Sequence, residues 1–206
     1  MSSDFFSVQE FEQISSTQDL IKERLKNMLA PAPEGLVICA RHQTNGRGRH
    51  GRAWINSDGN LYFSLLLKPK CEVQYIGCIS TLIGLAIVES CNDFIKNGSQ
   101  MVLKWPNDIL IDKKKCCGIL IESDGVHHNL IENMIIGVGL NISSSPSDDF
   151  TCLQHYTDVQ LNRQIILNEI LKSIYHYYTQ FLQNGFLDIK KEYLTYSFES
   201  MNKGST

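Results

Sequence analysis

A segment rich in glycine and arginine, residues 44–52, restricts the fold more than any other feature of the sequence. Three glycines within six residues disfavour both helix and strand there, and predict a mobile loop. The runs on either side, residues 36–40 and 61–67, are short, continuous and apolar, which is typical of buried strands. The chain is therefore predicted to place an irregular, glycine-rich loop between two strands of a sheet.

The remaining chain alternates between helical and strand-like patterns. Strands are predicted over residues 101–104, 109–111 and 118–122, with one or two more over 130–142, broken near Asn133 or at Gly137–Gly139. Helices are predicted over residues 16–29, 77–96, 160–183 and 186–198, the first with Ser16 and Asp19 as a capping box. This order predicts a mixed β-sheet backed by helices in one α/β (α+β) domain over residues 1–206. Within it, residues 10–145 carry the motifs and residues 158–198 form a helical C-terminal part.

Composition excludes several classes of protein. Nineteen Lys and Arg against 22 Asp and Glu give a net charge of −3, which argues against a generally basic nucleic-acid coat protein. The hydrophobic fraction of 43% excludes a disordered chain. The longest uncharged stretch, residues 73–88, falls short of the ~20 apolar residues that a membrane span needs, so no membrane helix is expected. The first residues carry no basic region, so no signal peptide is expected.

The seven cysteines form no C-x-x-C pair. We expect free thiols, a reducing cytoplasmic location, no disulfide framework and no zinc site. The adjacent pair His127–His128 is interpreted as part of an exposed loop rather than as a metal site.

Arginine is concentrated in one acid-free segment. Four of the six arginines lie between Gly35 and Ser57, where there is no Asp or Glu. Guanidinium groups make forked contacts with phosphate or carboxylate, and closely spaced glycines let a backbone approach a ligand. A solvated basic loop and an RNA-binding Arg-Gly tract are the alternatives. The short length of the segment, and its position between strands, favour a loop that folds over a small anionic ligand.

Three further motifs carry polar or flexible residues. Lys104-Trp105-Pro106-Asn107-Asp108 is a turn between strands whose polar tips fit a nucleotide or Mg²⁺, although such a turn is usually only a turn. Residues 113–122 place three lysines before an apolar strand, either as point charges for an anion or as a solvated cluster. Residues 137–142 contain glycines that allow close approach by a ligand or by another strand.

Together these motifs resemble the biotin–protein ligases over about residues 10–145. The two most specific are G-R-G-R-x-G-R, from Gly46 to Arg52, and K-W-P-N-D, from Lys104 to Asp108. The others, in family order, are Ser16-Thr17-Gln18, Gln43, Ala53-Trp54, Asn60-Leu61-Tyr62, Lys115 to Glu122, and Gly137 to Asn141.

The resemblance implies a class II synthetase-like catalytic domain and a reaction in two steps. Biotin and Mg-ATP give biotinyl-5′-AMP and pyrophosphate, and the biotinyl group then passes to a lysine of a biotin carboxyl carrier protein, releasing AMP. It implies ATP and biotin as substrates, Mg²⁺ as the metal and acetyl-CoA carboxylase as the usual owner of the acceptor. A homodimer formed through a sheet edge occurs in relatives.

Roles are implied residue by residue. Catalysis is assigned to Lys115, Arg47 and Arg49, and Mg²⁺ to Asp108. Biotin binding is assigned to Ser16, Thr17, Gln18, Gln43, Arg47, Gly48, Arg49, Lys115, Gly118 and Leu120. ATP binding is assigned to Arg49, Arg52, Trp54, Asn107 and Asn141.

The sequence departs from the family in two ways. Gln18 stands where the family usually has Asn, which places the contacts to the ureido ring in question. The chain also stops where bacterial members begin an SH3-like barrel, so we expect that barrel to be absent and ATP affinity to be weaker. No N-terminal helix-turn-helix domain precedes the motifs, so no DNA binding is expected.

Alternative readings remain. A lipoate–protein ligase or octanoyltransferase shares the fold, but its Arg-Arg-x-Ser-Gly-Gly-Gly loop is absent here. A biotin-binding relative without turnover, and a non-catalytic nucleic-acid binder that uses the arginine loop, are the others.

Overall fold

The structure, a computed structural model, describes residues 2–27, 29–30, 32–96 and 98–199 and contains a seven-stranded mixed sheet. The strands are β1 (Ser7–Ile14), β2 (Leu36–Gln43), β3 (Leu61–Leu67), β4 (Met101–Lys104), β5 (Asp108–Ile111), β6 (Lys114–His127) and β7 (Leu130–Leu140). The helices are α1 (Ser2–Phe5), α2 (Thr17–Leu25), α3 (Ile76–Asn92), α4 (Arg163–Asn184) and α5 (Leu187–Tyr196). Short 3-10 turns occupy Arg49–Gly51, Val73–Tyr75 and Leu153–Tyr156.

The strand order is β1-β2-β3-β7-β6-β5-β4. β1 and β2 are parallel, and every other neighbouring pair is antiparallel. The register of the central hairpin places Gly118 opposite Gly139, and Leu120 opposite Gly137. The predicted mixed sheet backed by helices is therefore confirmed.

One face of the sheet is covered by α3 and α4 and the other is partly covered by α2, which explains the continuous apolar runs in its central strands. Successive side chains of β3 point to opposite faces, so Phe63 and Leu65 belong to a large core cluster with α3 and α4. Leu66 belongs to a smaller cluster on the other face, where Ile21 of α2 packs. The small cluster leaves much of that second face open for a cavity.

Several predicted boundaries were wrong. α2 ends at Leu25 rather than at residue 29, and β7 runs unbroken through its glycines. β6 extends well beyond the predicted 118–122. β1 was not predicted, because an edge strand with mostly exposed polar residues lacks an apolar run. Residues 28, 31 and 200–206, which the sequence places in a helix end and a polar tail, lie outside the described residues.

The expectation of no helix long enough to span a membrane also needs correction. The helical segment Val73–Asn92 has 20 residues and is long and apolar enough to cross a membrane by length and composition alone. It does so because the helix continues past the uncharged stretch and includes Glu89. In this fold its apolar residues pack between the sheet and α4, as expected for a core helix.

All seven cysteines lie within the described residues and are free, as predicted. Cys39, Cys91, Cys116, Cys117 and Cys152 are buried, and Cys71 and Cys78 are partly exposed. Burial raises the pKa of both Cys39 and Cys91 to about 12. Such thiols stay protonated at neutral pH and pack as small apolar groups.

Candidate active site

A cavity of about 460 Å³ opens on the face of the sheet that carries α2. Its wall is built from β3, β7 and β6, where Gly137 lies between Ser64 and Leu120 in register. Two residues along, Gly139 lies opposite Gly118. Residues two apart on a strand share a face, so this face lacks side chains at three central positions. The glycines thereby let other side chains of the cavity lie directly against the backbone of the sheet.

Every residue to which the sequence analysis gave a role lines this cavity. These residues are Ser16, Thr17, Gln18, Gln43, Arg47, Gly48, Arg49, Arg52, Trp54, Asn107, Asp108, Lys115, Gly118, Leu120 and Asn141. They come from positions up to 125 apart in the chain (141 − 16). The fold therefore gathers them in one place, while their individual roles stay predictions.

The inner end of the cavity is polar and buried. The hydroxyl of Thr17 donates to Gln43 Oε1 at 3.1 Å and lies 2.7 Å from the hydroxyl of Ser64. The backbone N–H of Thr17 also donates to Gln43 Oε1, at 2.8 Å. Ser16 caps α2 by accepting from the backbone N–H of Asp19. Mutual hydrogen bonds hold these side chains in fixed positions beside the cavity.

Gln18 lies flat against Gly137. A Cβ atom at position 137 would come within 2.6 Å of Gln18 Oε1, so only glycine leaves room for this amide. The Gln18 amide N–H₂ donates to Glu122 Oε2 at 2.8 Å and to the carbonyl of Leu120 at 3.4 Å. The longer amide is thus accommodated by the missing side chain opposite it.

The glycine-arginine loop folds into a small hairpin beside the cavity. The N–H of Gly48 donates to the carbonyl of Arg52 at 2.7 Å, and the N–H of Trp54 donates to the carbonyl of Gly46 at 2.9 Å. His50 and Gly51 turn the tip with φ of 58° and 71°. We call residues 46–54 the Gly-Arg hairpin. Its predicted mobility stays a prediction.

The arginines of the hairpin have different surroundings. Arg47 forms a forked pair with Asp19, with both N···O distances at 2.7 Å, and its Nη2 lies 3.2 Å from Glu122 Oε2. The hydrogen bond from Arg47 holds the pKa of Asp19 below its ordinary value, and the same bond raises the pKa of Arg47. Arg49 is exposed and donates to Asn107 Oδ1 at 2.8 Å. Arg52 is exposed at the hairpin tip.

Lys115 and Trp54 lie over Gly118 and Gly139, which we call the glycine pair. Lys115 Nζ is 2.7 Å from Asp108 Oδ1 and 5.4 Å from the centre of the Trp54 ring, within range of a cation–π contact. A Cβ at position 139 would come within 2.4 Å of the indole, and one at position 118 within 2.8 Å. The buried Nε1 of Trp54 has no hydrogen-bond partner among the described residues. The indole therefore lies on bare backbone with one donor unused.

A magnesium site has a single carboxylate here. Asp108 is paired with Lys115, and the described residues hold no group of three His, Cys, Asp or Glu side chains suited to a metal. Mg²⁺ commonly takes one or two protein carboxylates and completes its shell with water and substrate phosphates. Asp108 therefore fits Mg²⁺ only as one ligand beside a bound nucleotide.

Four residues of the site received no role from the sequence. Asp19 was interpreted only as part of a helix cap, and Glu122 only as the last residue of a strand and of a family motif. Gly137 and Gly139 were noted as strand glycines without a stated neighbour. The signals were present in the motifs, but the partners lie too far away in sequence to be paired by pattern.

Comparison with known proteins places the chain among ligases. Residues 10–141 match the profile of the Biotin/lipoate A/B protein ligase family. The chain is 34% identical over 193 residues to the bifunctional ligase/repressor BirA of Bacillus spizizenii, covering 89% of this chain. It is 32% identical over 134 residues to the biotin–[acetyl-CoA-carboxylase] ligase of Paracoccus denitrificans, covering 65% of this chain. These alignments span 57% and 55% of the two relatives.

Solved structures show the same architecture. The biotin protein ligase of Aquifex aeolicus in complex with biotin and ATP superposes with a TM-score of 0.77 at 29% identity, covering 93% of this chain and 78% of that chain. The biotin protein ligase of Leishmania major in complex with biotinyl-5-AMP gives a TM-score of 0.75 at 22% identity, covering 94% of this chain and 82% of that one. The second likeness concerns the fold alone.

Proposed function

The chain belongs to the biotin/lipoate A/B protein ligase family, and from this premise we propose that it is a biotin–protein ligase. In this proposal it activates biotin with ATP to biotinyl-5′-AMP and transfers the biotinyl group to a lysine of a biotin carboxyl carrier domain. The names of the similar proteins from Bacillus, Paracoccus and Aquifex support the biotin branch of the family.

The buried polar end of the cavity is the observation that carries the choice of substrate. Thr17, Gln18 and Gln43 are each less than 10% exposed. The ureido ring of biotin offers N–H donors and a carbonyl acceptor, which such side chains can pair. Lipoyl and octanoyl tails have no such groups, so they would cover the polar atoms of this end without making hydrogen bonds to them. The polar end therefore favours biotin over both alternatives.

Lys115 is the proposed cation of the first step. An oxygen of the biotin carboxylate attacks the α-phosphorus of ATP, and pyrophosphate leaves. Because carboxylate and phosphate repel each other, a positive group between them lowers the barrier. Asp108, 2.7 Å from Lys115 Nζ, holds the ammonium over the glycine pair. When bound, Mg²⁺ supplies further positive charge beside the phosphates.

The second step needs the adenylate to be kept from water. The acceptor lysine must arrive as a free amine, attacks the acyl carbon of the mixed anhydride, and loses a proton as AMP leaves. The Gly-Arg hairpin borders the cavity and is suited to cover this intermediate. Gly48 at the hairpin, and Ser16, Gly118 and Leu120 at the wall, complete the proposed biotin contacts.

The nucleotide is proposed to lie toward the hairpin tip. Arg49 and Arg52 are exposed cations there, and Asn107 is joined to Arg49. Trp54 offers an aromatic surface for adenine, and Asn141 is buried at the end of β7 with its amide donating to the carbonyl of Thr151. These groups suit a phosphate and a base more than an apolar chain.

The acceptor and the location are part of the same proposal. The acceptor is the biotin carboxyl carrier domain of acetyl-CoA carboxylase, in line with the name of the Paracoccus relative. A cytoplasmic location is supported by seven free cysteines, which persist in reducing compartments.

Biotin-dependent ATP–pyrophosphate exchange tests the proposal. The Lys115→Ala variant is expected to lose exchange by about 10²–10³-fold, the usual effect of removing one charge-stabilising donor. Lys114→Ala is the matched control, because Lys114 is the exposed neighbour on the same strand and does not line the cavity. Exchange driven by lipoate or octanoate but not by biotin would contradict the proposal, as would equal rates in the two variants.

A further inference from the structure

Arg47 is held by side chains from two other elements. Asp19 comes from the first turn of α2, and Glu122 from β6, while Arg47 begins the Gly-Arg hairpin. Lys22 and Gln18 of α2 bond the two oxygens of Glu122, each at 2.8 Å. We call Asp19, Glu122 and Arg47 the Arg47 clamp. It joins helix, sheet and hairpin at one edge of the cavity.

The clamp engages both Nη groups of Arg47. Nη1 donates to Asp19 Oδ2 and lies 3.4 Å from the hydroxyl of Ser16, while Nη2 pairs with Asp19 Oδ1 and Glu122 Oε2. With Lys22 included, two carboxylates balance two cations. An arginine that already has two carboxylate partners has little charge left for an anionic ligand. Arg49 differs, since it donates to the neutral amide of Asn107.

The clamp also lies where it can govern the hairpin. Its side chains are partly exposed, 24% for Arg47, 27% for Glu122 and 40% for Asp19, so solvent weakens the pair with Glu122 less than the pair with Asp19. The bonds between Gly48 and Arg52, and between Trp54 and Gly46, hold the hairpin together internally without attaching it to the sheet. Arg47 at its base and Arg49 near its tip attach it through charged hydrogen bonds, while Trp54 packs over Gly118 and Gly139 beside Lys115.

We propose that Asp19 and Glu122 are positioning residues that hold the Gly-Arg hairpin against the cavity by clamping Arg47, and so retain the adenylate until transfer. The inference rests on the proposed function and gives it two residues that neither motif nor family match assigns. Arg47 thus acts through the hairpin, whereas Arg49, which is held by the neutral amide of Asn107, keeps its charge for the substrate anions.

Loss of the clamp should increase the release of adenylate and leave the rate of its formation unchanged. The loss of one charge-assisted hydrogen bond of this kind changes an equilibrium constant by roughly ten- to hundredfold. Asp19→Asn removes the forked pair and leaves Gln18 in place, so release of adenylate should rise by about that factor while the KM for biotin is unchanged. Glu122→Ala also removes the partner of the Gln18 amide, so it should raise both the release of adenylate and the KM for biotin.

The experiment measures the fraction of adenylate released against that transferred, together with trypsin cleavage at the hairpin arginines. Glu12→Gln is the matched control: Glu12 also pairs with an arginine, Arg41, but on the exposed edge strand β1. Asp19→Glu should restore retention, which a fold defect would not allow. Thermal melts of each variant report folding.

Three outcomes would overturn the clamp. Asp19→Asn could retain adenylate and resist trypsin as well as Glu12→Gln does. Asp19→Glu could fail to restore retention in a folded protein. The increases in adenylate release caused by Asp19→Asn and by Arg47→Gln could multiply in the double variant, which would show that Arg47 acts independently of Asp19.

Failure of the proposed function would look different. In that case the wild-type chain would form no adenylate from biotin and ATP, while the trypsin comparison between Asp19→Asn and Glu12→Gln would still decide the clamp. Greater cleavage of Asp19→Asn supports the clamp, and equal cleavage overturns it.

Discussion

At the scale of single residues, the site depends on what is missing as much as on what is present. Gly118 and Gly139 face each other across β6 and β7, and the indole of Trp54 occupies the space that two Cβ atoms would take. Gly137 leaves similar room for the amide of Gln18. None of these three glycines has a positive φ, so space rather than backbone conformation requires them.

Gly139→Ala should therefore displace Trp54 without unfolding the chain. The new Cβ would lie within 2.4 Å of the ring, and overpacking of this kind costs about 1–3 kcal/mol. We expect a red shift in tryptophan emission and a lower free energy of unfolding. Gly77→Ala is the control, because nothing lies within 4 Å of its added Cβ in helix α3, and its stability should stay equal or rise by up to about 1 kcal/mol. Unchanged emission in Gly139→Ala would contradict the packing described.

At the scale of elements, a helix contributes to stability mainly through the face that it buries. Helix α4 begins at an Asn162 cap that accepts from the N–H groups of Gln164 and Ile165. It ends at Gly185, which has a φ of 74°. Its buried stripe packs on α3, whereas Ile165 on the other side is 54% exposed. Helix α4 thus carries one isoleucine that is fully buried, Ile170, and one that is exposed, Ile165.

This difference gives a matched pair of substitutions. Ile170 is fully buried, so Ile170→Ala should lower the free energy of unfolding by about 2–5 kcal/mol through lost burial and the cavity it leaves. Ile165→Ala should change it by no more than about 0.5 kcal/mol. Urea unfolding followed by circular dichroism measures both. Similar losses for the two variants would mean that α4 does not pack in the orientation described.

At the scale of the whole molecule, the large core between the sheet, α3 and α4 buries four thiols in the protonated state, those of Cys39, Cys91, Cys116 and Cys117. Burial raises the pKa of Cys39 and Cys91 from 9.0 to about 12, and raises that of Cys116 and Cys117 in the same direction. The folded state therefore keeps protons that the unfolded chain releases above pH 9. Buried tyrosines such as Tyr178, whose pKa is also raised, act in the same sense at higher pH.

Stability should consequently fall in alkaline solution. The contribution of each raised thiol is fully present below its unfolded pKa near 9, and is lost as pH rises toward 12. Each such thiol adds a slope of up to about 1.4 kcal/mol per pH unit in that window. Urea midpoints at pH 8, 9.5 and 10.5 with a reductant present measure this, and Cys91→Ala should show a shallower decline. A midpoint independent of pH across this range would refute the burial of these thiols.

The sequence by itself determined the class of fold and named many of the residues that line the cavity. Apolar runs predicted β3 and β4 with their observed ends, since burial on both faces leaves a local pattern. The ordered motifs were enough to name the residues that line the cavity, because each motif keeps its chemistry in a short stretch.

Only the tertiary structure decided which side chains pair. Arg47 meets Asp19 across 28 positions and Glu122 across 75, and the Gly118–Gly139 pair depends on the register of two strands. A contact of this kind leaves no periodicity in sequence, because strand register and the placement of α2 set it. The edge strand β1 was missed for the same reason, since its pairing with β2 rather than its own composition makes it a strand.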